Sequence, residues 1–218
     1  NKADQPAEPE SITQRQARLE RTLLQQNASL DGLDGSAIDR AAIGVIRLPA
    51  WTTVAQRPTE SPERTTMDAI VQELRAAIEK SGVAYAALLD DQIVLGAFSP
   101  DKKGVADEAR CVARAMLDLR DRLLELEEKW NTSLDFRLAI DVGTVMASSV
   151  ATDPPSRNLW GGAVGIAKVL ADTASRRTIA ASETAYDLLS DSFLFRPRGS
   201  YFLPETGNMR TFVLVGRI

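Results

Sequence analysis

Two adjacent carboxylates, Asp90 and Asp91, are the side chains whose types and spacing could do chemistry. They separate two short apolar runs, Val83 to Leu89 and Ile93 to Phe98, and this spacing predicts a tight β-hairpin with both aspartates at its turn. Carboxylate oxygens are the ligands that hard divalent cations take from proteins. Aspartate is also an ordinary turn residue, so the pair has a purely structural interpretation as well.

Histidine is absent from the sequence, and Cys111 is its one cysteine. Without histidine, the chain cannot build a Ser-His-Asp or Cys-His nucleophile or a His-based metal site. A single cysteine also excludes an internal disulfide. Because Cys111 falls within a helical pattern, we expect a buried structural thiol there rather than a nucleophile.

Composition excludes several classes of partner. The chain has 218 residues and a net charge of −4, and its Lys and Arg residues are scattered, so no nucleic-acid partner is expected. No apolar run approaches the ~20 residues that a membrane helix needs. The chain begins with Asn and shows no signal peptide, so we expect a fragment that is the soluble end of a longer protein. Its expected location is the cytoplasm, either as a separate protein or as the cytoplasmic part of a membrane protein.

Hydrophobic periodicity predicts the elements that position these residues. In chain order we expect a strand at 41–46, a loop at 49–62, a helix at 63–81, strands at 83–89 and 93–98, a turn at 99–104, a helix at 105–130, strands at 136–142 and 144–150, a helix at 162–172, a strand at 178–181, a helix at 182–189, and strands at 193–195, 201–203 and 209–215. The first six elements match the ferredoxin-like βαββαβ unit, which makes the fold class α/β, an α+β sandwich.

The first 40 residues are predicted to be a separate segment before a domain at 41–218. Residues 1–10 have the composition of a linker. Ser11 and Gln14 fit a capping box, and the helix that follows carries a heptad seam. That helix either packs on its own domain or continues a coiled coil from an upstream module.

The stretch from Phe136 to Asp172 carries a resemblance to a known family. FRLAIDVGTVMASSV resembles the strand-glycine-strand segment of class III nucleotide cyclases, with Gly143 at a sharp reversal. NLWGGAVGIAKVL resembles the loop and helix that follow it there, and RPRGSYFLPETGNMRTFVLVGR resembles the closing strands. The resemblance covers roughly 41–217, and the predicted order of elements agrees with the cyclase fold.

This resemblance implies a site at a head-to-tail dimer interface. In the family, two aspartates hold two divalent metals that neutralise a triphosphate. A lysine and an aspartate read the purine in adenylate cyclases. An asparagine and an arginine, one helical turn apart, orient the ribose and stabilise the charge that develops on phosphate.

Position by position, this sequence departs from the family pattern. Arg47 falls on the first metal aspartate, and an arginine cannot ligate a cation. The second falls on Asp91, or on Asp90 if the hairpin slips by one residue. The remaining functional positions are occupied as follows: Ala87 for the purine-reading lysine, Asn158 for the purine-reading aspartate, Gly165 for the catalytic asparagine, Val169 for the catalytic arginine, and 204–207 for a lysine-containing loop.

The resulting hypothesis is a catalytically inactive, cyclase-like regulatory module of a bacterial-type signalling protein. It would act as a homodimer or heterodimer, through another protein partner, or by binding a nucleotide without turnover, downstream of a sensor or membrane segment. No cofactor is expected, although Asp91 and Asp90 leave residual metal or nucleotide contact open. The alternative is an active adenylate or guanylate cyclase that converts a nucleoside triphosphate to a cyclic nucleotide.

Two smaller expectations concern the same stretch. Trp160, Gly161 and Gly162 could be retained only because the turn into the helix needs small residues. Arg137 and Asp141 alternate with apolar residues along a strand, so we expect them on a solvated or interface face.

Overall fold

A computed structural model describes residues 37–58, 60–98, 104–150, 156–203 and 207–218. The predicted linker and N-terminal helix lie outside these residues, as do most of the predicted turn at 99–104 and positions 204–206 of the closing loop. The described elements, in chain order, are β1 Ala37–Arg47, α1 Ala50–Ala55, α2 Pro62–Lys80, β2 Tyr85–Leu89, β3 Gln92–Ala97, α3 Val105–Trp130, β4 Arg137–Val150, β5 Ser156–Trp160, α4 Gly162–Thr173, β6 Ile179–Ser182, α5 Glu183–Leu189, β7 Phe193–Leu203 and β8 Gly207–Arg217.

The strands form one mixed sheet in the order β2-β3-β1-β4-β6-β8-β7, with β5 paired to β4. Its first four strands are antiparallel neighbours in the order of a ferredoxin-like unit. Strand β6 then adds parallel to β4, and the β7–β8 hairpin extends the sheet from β6. The predicted fold class is therefore confirmed.

Helices cover both faces of the sheet, and each face has its own apolar core. Helices α2, α3 and α5 pack on one face, where residues such as Leu74, Leu123 and Leu189 are buried. Helix α4 packs on the opposite face through Ala163, Ala167 and other small side chains. The face that carries α4 is also the face on which the candidate site lies.

The predicted reversal at Gly143 is wrong, because β4 is one strand of 14 residues. Gly143 pairs with Ala41 in the β1–β4 ladder, and the later part of β4 pairs with β5. A Cβ at this position would lie 3.4 Å from the Cβ of Ala163 in α4, which is ordinary van der Waals contact. Gly143 therefore lies within a continuous strand beside α4, and local sequence cannot distinguish a glycine in a strand from one in a turn.

Two further segments differ from expectation. The predicted loop at 49–62 contains the short helix α1, whose Trp51 is buried in the core beside α2. The two strand-like runs at 193–195 and 201–203 are parts of one long strand, β7, which shifts register twice against β8. Burial accounts for the helix at Trp51, whereas β7 is mostly exposed and is held along its length by its ladder with β8.

Candidate functional site

Arg47 is the last residue of β1, and its guanidinium lies between two carboxylates from different elements. One terminal nitrogen is 3.3 Å from a carboxylate oxygen of Asp91, and the other pairs with Asp172 in α4. The Arg47 side chain is 29% exposed and that of Asp91 only 9%. A buried carboxylate is costly unless a cation compensates it, so Arg47 supplies the charge that lets Asp91 lie inside.

The turn between β2 and β3 brings Asp91 to this position. Leu89 pairs with Gln92, which leaves Asp90 and Asp91 as a two-residue hairpin loop. Asp90 adopts the left-handed conformation with φ of 56° and is exposed, whereas Asp91 turns inward. The main-chain N–H of Leu48 donates to the Asp91 carbonyl at 2.8 Å, which ties the turn to the end of β1. The hairpin predicted from the sequence is confirmed.

Asp172 is a site residue that the sequence analysis missed. It lies in the last turn of α4, 125 residues beyond Arg47. A signal was available, since positions 165, 169 and 172 have the i, i+4, i+7 spacing of one helix face. All three residues are exposed, which places Gly165, Val169 and Asp172 together on the outer face of α4.

Two further arginines bind the main chain at the same end of α4. Arg137 donates to the carbonyl oxygen of Asp172 at 3.0 Å, and Arg198 donates to the carbonyl oxygen of Thr173. The last carbonyls of a helix lack intrahelical partners and carry partial negative charge, so cations are favourable there. Arg137 and Arg198 thus bind main-chain carbonyl oxygens, whereas the Asp172 carboxylate pairs with Arg47.

The side chains at the predicted metal positions do not suit a divalent cation. A guanidinium carries a permanent positive charge, cannot act as a ligand, and already neutralises Asp91. Among the residues that the structure describes, no group of three or more His, Cys, Asp or Glu side chains could hold a metal ion. The assignment of Arg47 and Asp91 to the family's metal positions stays a prediction, but the structure brings the two side chains into contact.

The other predicted site positions carry side chains with little capacity for polar catalysis. Val169 is 40% exposed, and a Cβ added at Gly165 would meet no atom within 4 Å. Ala87 lies half-buried in β2 beside the core that α4 covers, and Asn158 lies in β5 opposite Ser148. The outer face of α4 at Gly165 and Val169 therefore offers open space and an exposed apolar side chain.

The turn into α4 needs glycine for backbone reasons. Gly161 has φ of 116°, which side-chain-bearing residues rarely adopt, and an added Cβ would lie 3.4 Å from the Thr144 carbonyl oxygen. Trp160 before it is 53% exposed and donates its ring N–H to the Ser148 hydroxyl oxygen at 3.1 Å. These features support the structural interpretation of the Trp-Gly-Gly segment.

Asp141 is buried, which contradicts the expectation of a solvated or interface face. Asp141 is 2% exposed and lies on the side of β4 that faces α4. Arg137, on the same strand, is only partly exposed. The alternating pattern was misleading because α4 covers the strand face opposite α3. The Ser182 hydroxyl and the Val142 main-chain N–H donate to the Asp141 carboxylate, but burial dominates and raises its pKa.

Replacing Asp141 with asparagine is expected to raise the melting temperature at pH 7 by about 2–4 °C, or ~1 kcal/mol. A raised pKa in the folded state means that this group's stabilisation is full below the unfolded aspartate pKa of ~3.9 and is lost as pH rises through the folded pKa. The gain from Asp141→Asn should therefore shrink from pH 7 towards pH 4. Thermal melts of both proteins across that range measure it, and a gain that grows on acidification contradicts this account.

Cys111 lies in α3 and is partly buried. Burial is the main cause that raises the pKa of its thiol, and Glu108 raises it further. A raised pKa reduces the thiolate form that reacts. The structural role expected for this cysteine is consistent with that environment.

Comparisons with known proteins identify a common fold and family. A family model described as the adenylate and guanylate cyclase catalytic domain matches residues 63–216. Proteins named adenylate cyclase from Mycobacterium bovis and Mycobacterium tuberculosis are 22% identical over 209 residues, which is 96% of this chain and 44% of each relative. The chain thus spans less than half the length of these curated relatives.

Solved cyclase domains share this architecture. The guanylate cyclase domain from Catenaria anguillulae, solved with GTP, superposes with a TM-score of 0.71 at 18% identity, over 84% of this chain and 100% of that one. An adenylyl cyclase from P. aeruginosa gives 0.72 at 16% identity, over 81% and 94%. A domain from Blastocladiella emersonii, described as a non-canonical dimeric guanylyl cyclase domain, gives 0.68 at 21% identity, over 84% and 99%. No described helix is both long and apolar enough to cross a membrane.

Proposed function

Since the chain belongs to the adenylate and guanylate cyclase catalytic domain family, we propose that it is a member that makes no cyclic nucleotide and works as a regulatory module. Its action would be dimerisation, binding of a protein partner, or binding of a nucleotide without turnover. The observation that carries the proposal is the ion pair of Arg47 with Asp91 and Asp172.

The Arg47 ion pair opposes the chemistry of the family in two ways. The side chain at the predicted first metal position is not a ligand, and its charge repels a divalent cation that approaches Asp91. Expelling the guanidinium would also leave Asp91, which is 7% exposed, without its counter-charge. The family's metal chemistry therefore lacks both a ligand and an unopposed carboxylate in this chain.

Helix α4 lacks the groups that would stabilise a developing charge. Loss of one such transition-state contact typically costs ~3–4 kcal/mol, or 10²–10³ in rate. Gly165 and Val169 stand where two such contacts are predicted, in addition to the change at Arg47. Even without strict additivity, three losses in one site leave no plausible lowering of the barrier.

A role in association fits the surface that remains. Trp160, Val169 and Phe202 are exposed by 53%, 40% and 71%, and aromatic side chains such as the first and last of these are enriched at protein interfaces. Trp160 and Val169 flank the start and the outer face of α4, where the resemblance implies the family's dimer interface. The solved relatives include a dimeric domain, which supports the same role.

A cyclase assay tests the proposal directly. With Mn²⁺ and either ATP or GTP, the purified domain is expected to yield no cyclic nucleotide detectable by mass spectrometry, while an active relative assayed alongside does. Turnover that disappears in an Asp91→Ala variant would refute the proposal. Thermal melts with ATP, GTP and cyclic nucleotides, together with sedimentation measurements of oligomeric state, then separate nucleotide binding from association.

A further inference from the structure

We infer that Arg47 is a built-in cation that closes a latent divalent-cation site formed by Asp91 and Asp172. The inference deepens the proposed function and rests on it, since it explains how the site is held without a metal. The resemblance implies metal-binding aspartates at positions 47 and 91, whereas the two carboxylates of this site are Asp91 and Asp172. Position 47 here supplies a positive charge instead of a ligand.

The carboxylates of Asp91 and Asp172 both contact the guanidinium of Arg47. The two terminal nitrogens of the Arg47 guanidinium contact different partners, Asp91 at 3.3 Å and Asp172 at closer range. The carboxylates converge from the β2–β3 turn and from the C-terminal turn of α4. A planar, permanently charged fork is suited to such a bridge, since it can direct separate N–H groups to separate oxygens.

The main chain that carries each carboxylate is held by a contact that does not involve the Arg47 side chain. The Leu48 N–H holds the Asp91 main chain at 2.8 Å, and Arg137 binds the Asp172 carbonyl oxygen at 3.0 Å. Removal of the guanidinium would therefore leave two carboxylates directed at one space, one of them buried. Carboxylate oxygens are ligands that Ca²⁺ and Mn²⁺ take, and water would have to complete the coordination of an ion held by these two.

A covalently attached cation has two consequences for the native chain. It connects β1 with the β2–β3 turn and α4 without any free ion, because the guanidinium is part of the chain and keeps its proton. It also excludes free divalent ions from Asp91 and Asp172 by charge repulsion. The native domain should thus have a melting temperature that does not respond to divalent cations or to chelator.

The test compares the native chain with Arg47→Met, which keeps an aliphatic stem for packing and removes the charge. Binding is measured by Mn²⁺ electron paramagnetic resonance, and stability by thermal melts in EDTA, Mg²⁺, Ca²⁺ or Mn²⁺. The native chain is expected to leave the free Mn²⁺ signal unchanged. Arg47→Met is expected to bind Mn²⁺, and saturating Mn²⁺ or Ca²⁺ should raise its melting temperature by roughly 2–4 °C.

Two matched controls isolate the cause. Arg47→Lys keeps a positive charge and should remain insensitive to divalent cations. The double variant Arg47→Met with Asp172→Asn should lose the response, because one of the two carboxylates is gone.

Stoichiometric Mn²⁺ binding by the native chain would overturn the inference, as would a folded Arg47→Met variant that ignores all three cations. If Arg47→Met fails to fold, the Mn²⁺ measurement on the native chain still decides whether the guanidinium excludes the ion. None of these readouts involves cyclic nucleotide formation, so failure here is distinguishable from failure of the proposed function.

Discussion

Replacing Gly161 with alanine is expected to lower the free energy of unfolding by about 1–3 kcal/mol, because a side-chain-bearing residue would have to adopt φ of 116°. The added Cβ would also approach the Thr144 carbonyl oxygen and the Val145 Cα, each at 3.4 Å. For a domain of this size the loss corresponds to a fall of roughly 2–12 °C in melting temperature. Thermal or urea unfolding of the variant measures it.

Gly162→Ala is the matched control for this prediction. Gly162 is the first residue of α4, and the nearest atom that its Cβ would meet is the Thr144 carbonyl oxygen at 3.8 Å. Alanine has the higher helix propensity, so this variant should be neutral or slightly stabilised. Equal losses in the two variants would show that the segment is not retained for the backbone conformation of Gly161.

Replacing Glu127 with alanine is expected to destabilise the domain by roughly 2–3 kcal/mol, or about 4–12 °C in melting temperature. Glu127 is 7% exposed near the end of α3 and accepts from the Leu134 main-chain N–H at 2.8 Å. Its other oxygen is 2.9 Å from a guanidinium nitrogen of Arg177. The variant would leave a buried N–H without an acceptor in the connection that leads into β4.

Glu127→Gln separates the hydrogen bond from the charge. The glutamine oxygen can still accept from Leu134, while the ion pair with Arg177 is lost; since Arg177 is 56% exposed, that pair contributes little. The glutamine variant should therefore retain most of the stability that alanine loses, as measured by urea unfolding. A glutamine variant as unstable as the alanine variant would assign the effect to charge instead.

Local pattern predicted the elements with strong periodicity. Helix α3 has the bounds that its apolar spacing indicates, and the hairpin at Asp90 and Asp91 follows from turn residues between two apolar runs. Gly143 was misread because glycine is typical of turns, and only the pairing of β4 with β1 and β5 shows that the strand continues through it. Asp141 was misplaced because an alternating strand indicates one buried face, and only the position of α4 shows that both are covered.

The sequence by itself identified the family, because the motifs of the segment from Phe136 to Asp172 are recognisable. Its comparison with the family pattern predicts an arginine at a metal position and no polar side chain at Gly165 or Val169. Only the tertiary structure shows which side chains Arg47 contacts. Its contact with Asp172 joins residues 125 positions apart, and a contact of that kind exists only once the sheet and α4 have packed. Charge complementarity between elements that folding brings together, rather than spacing along the chain, selects the partners of Arg47.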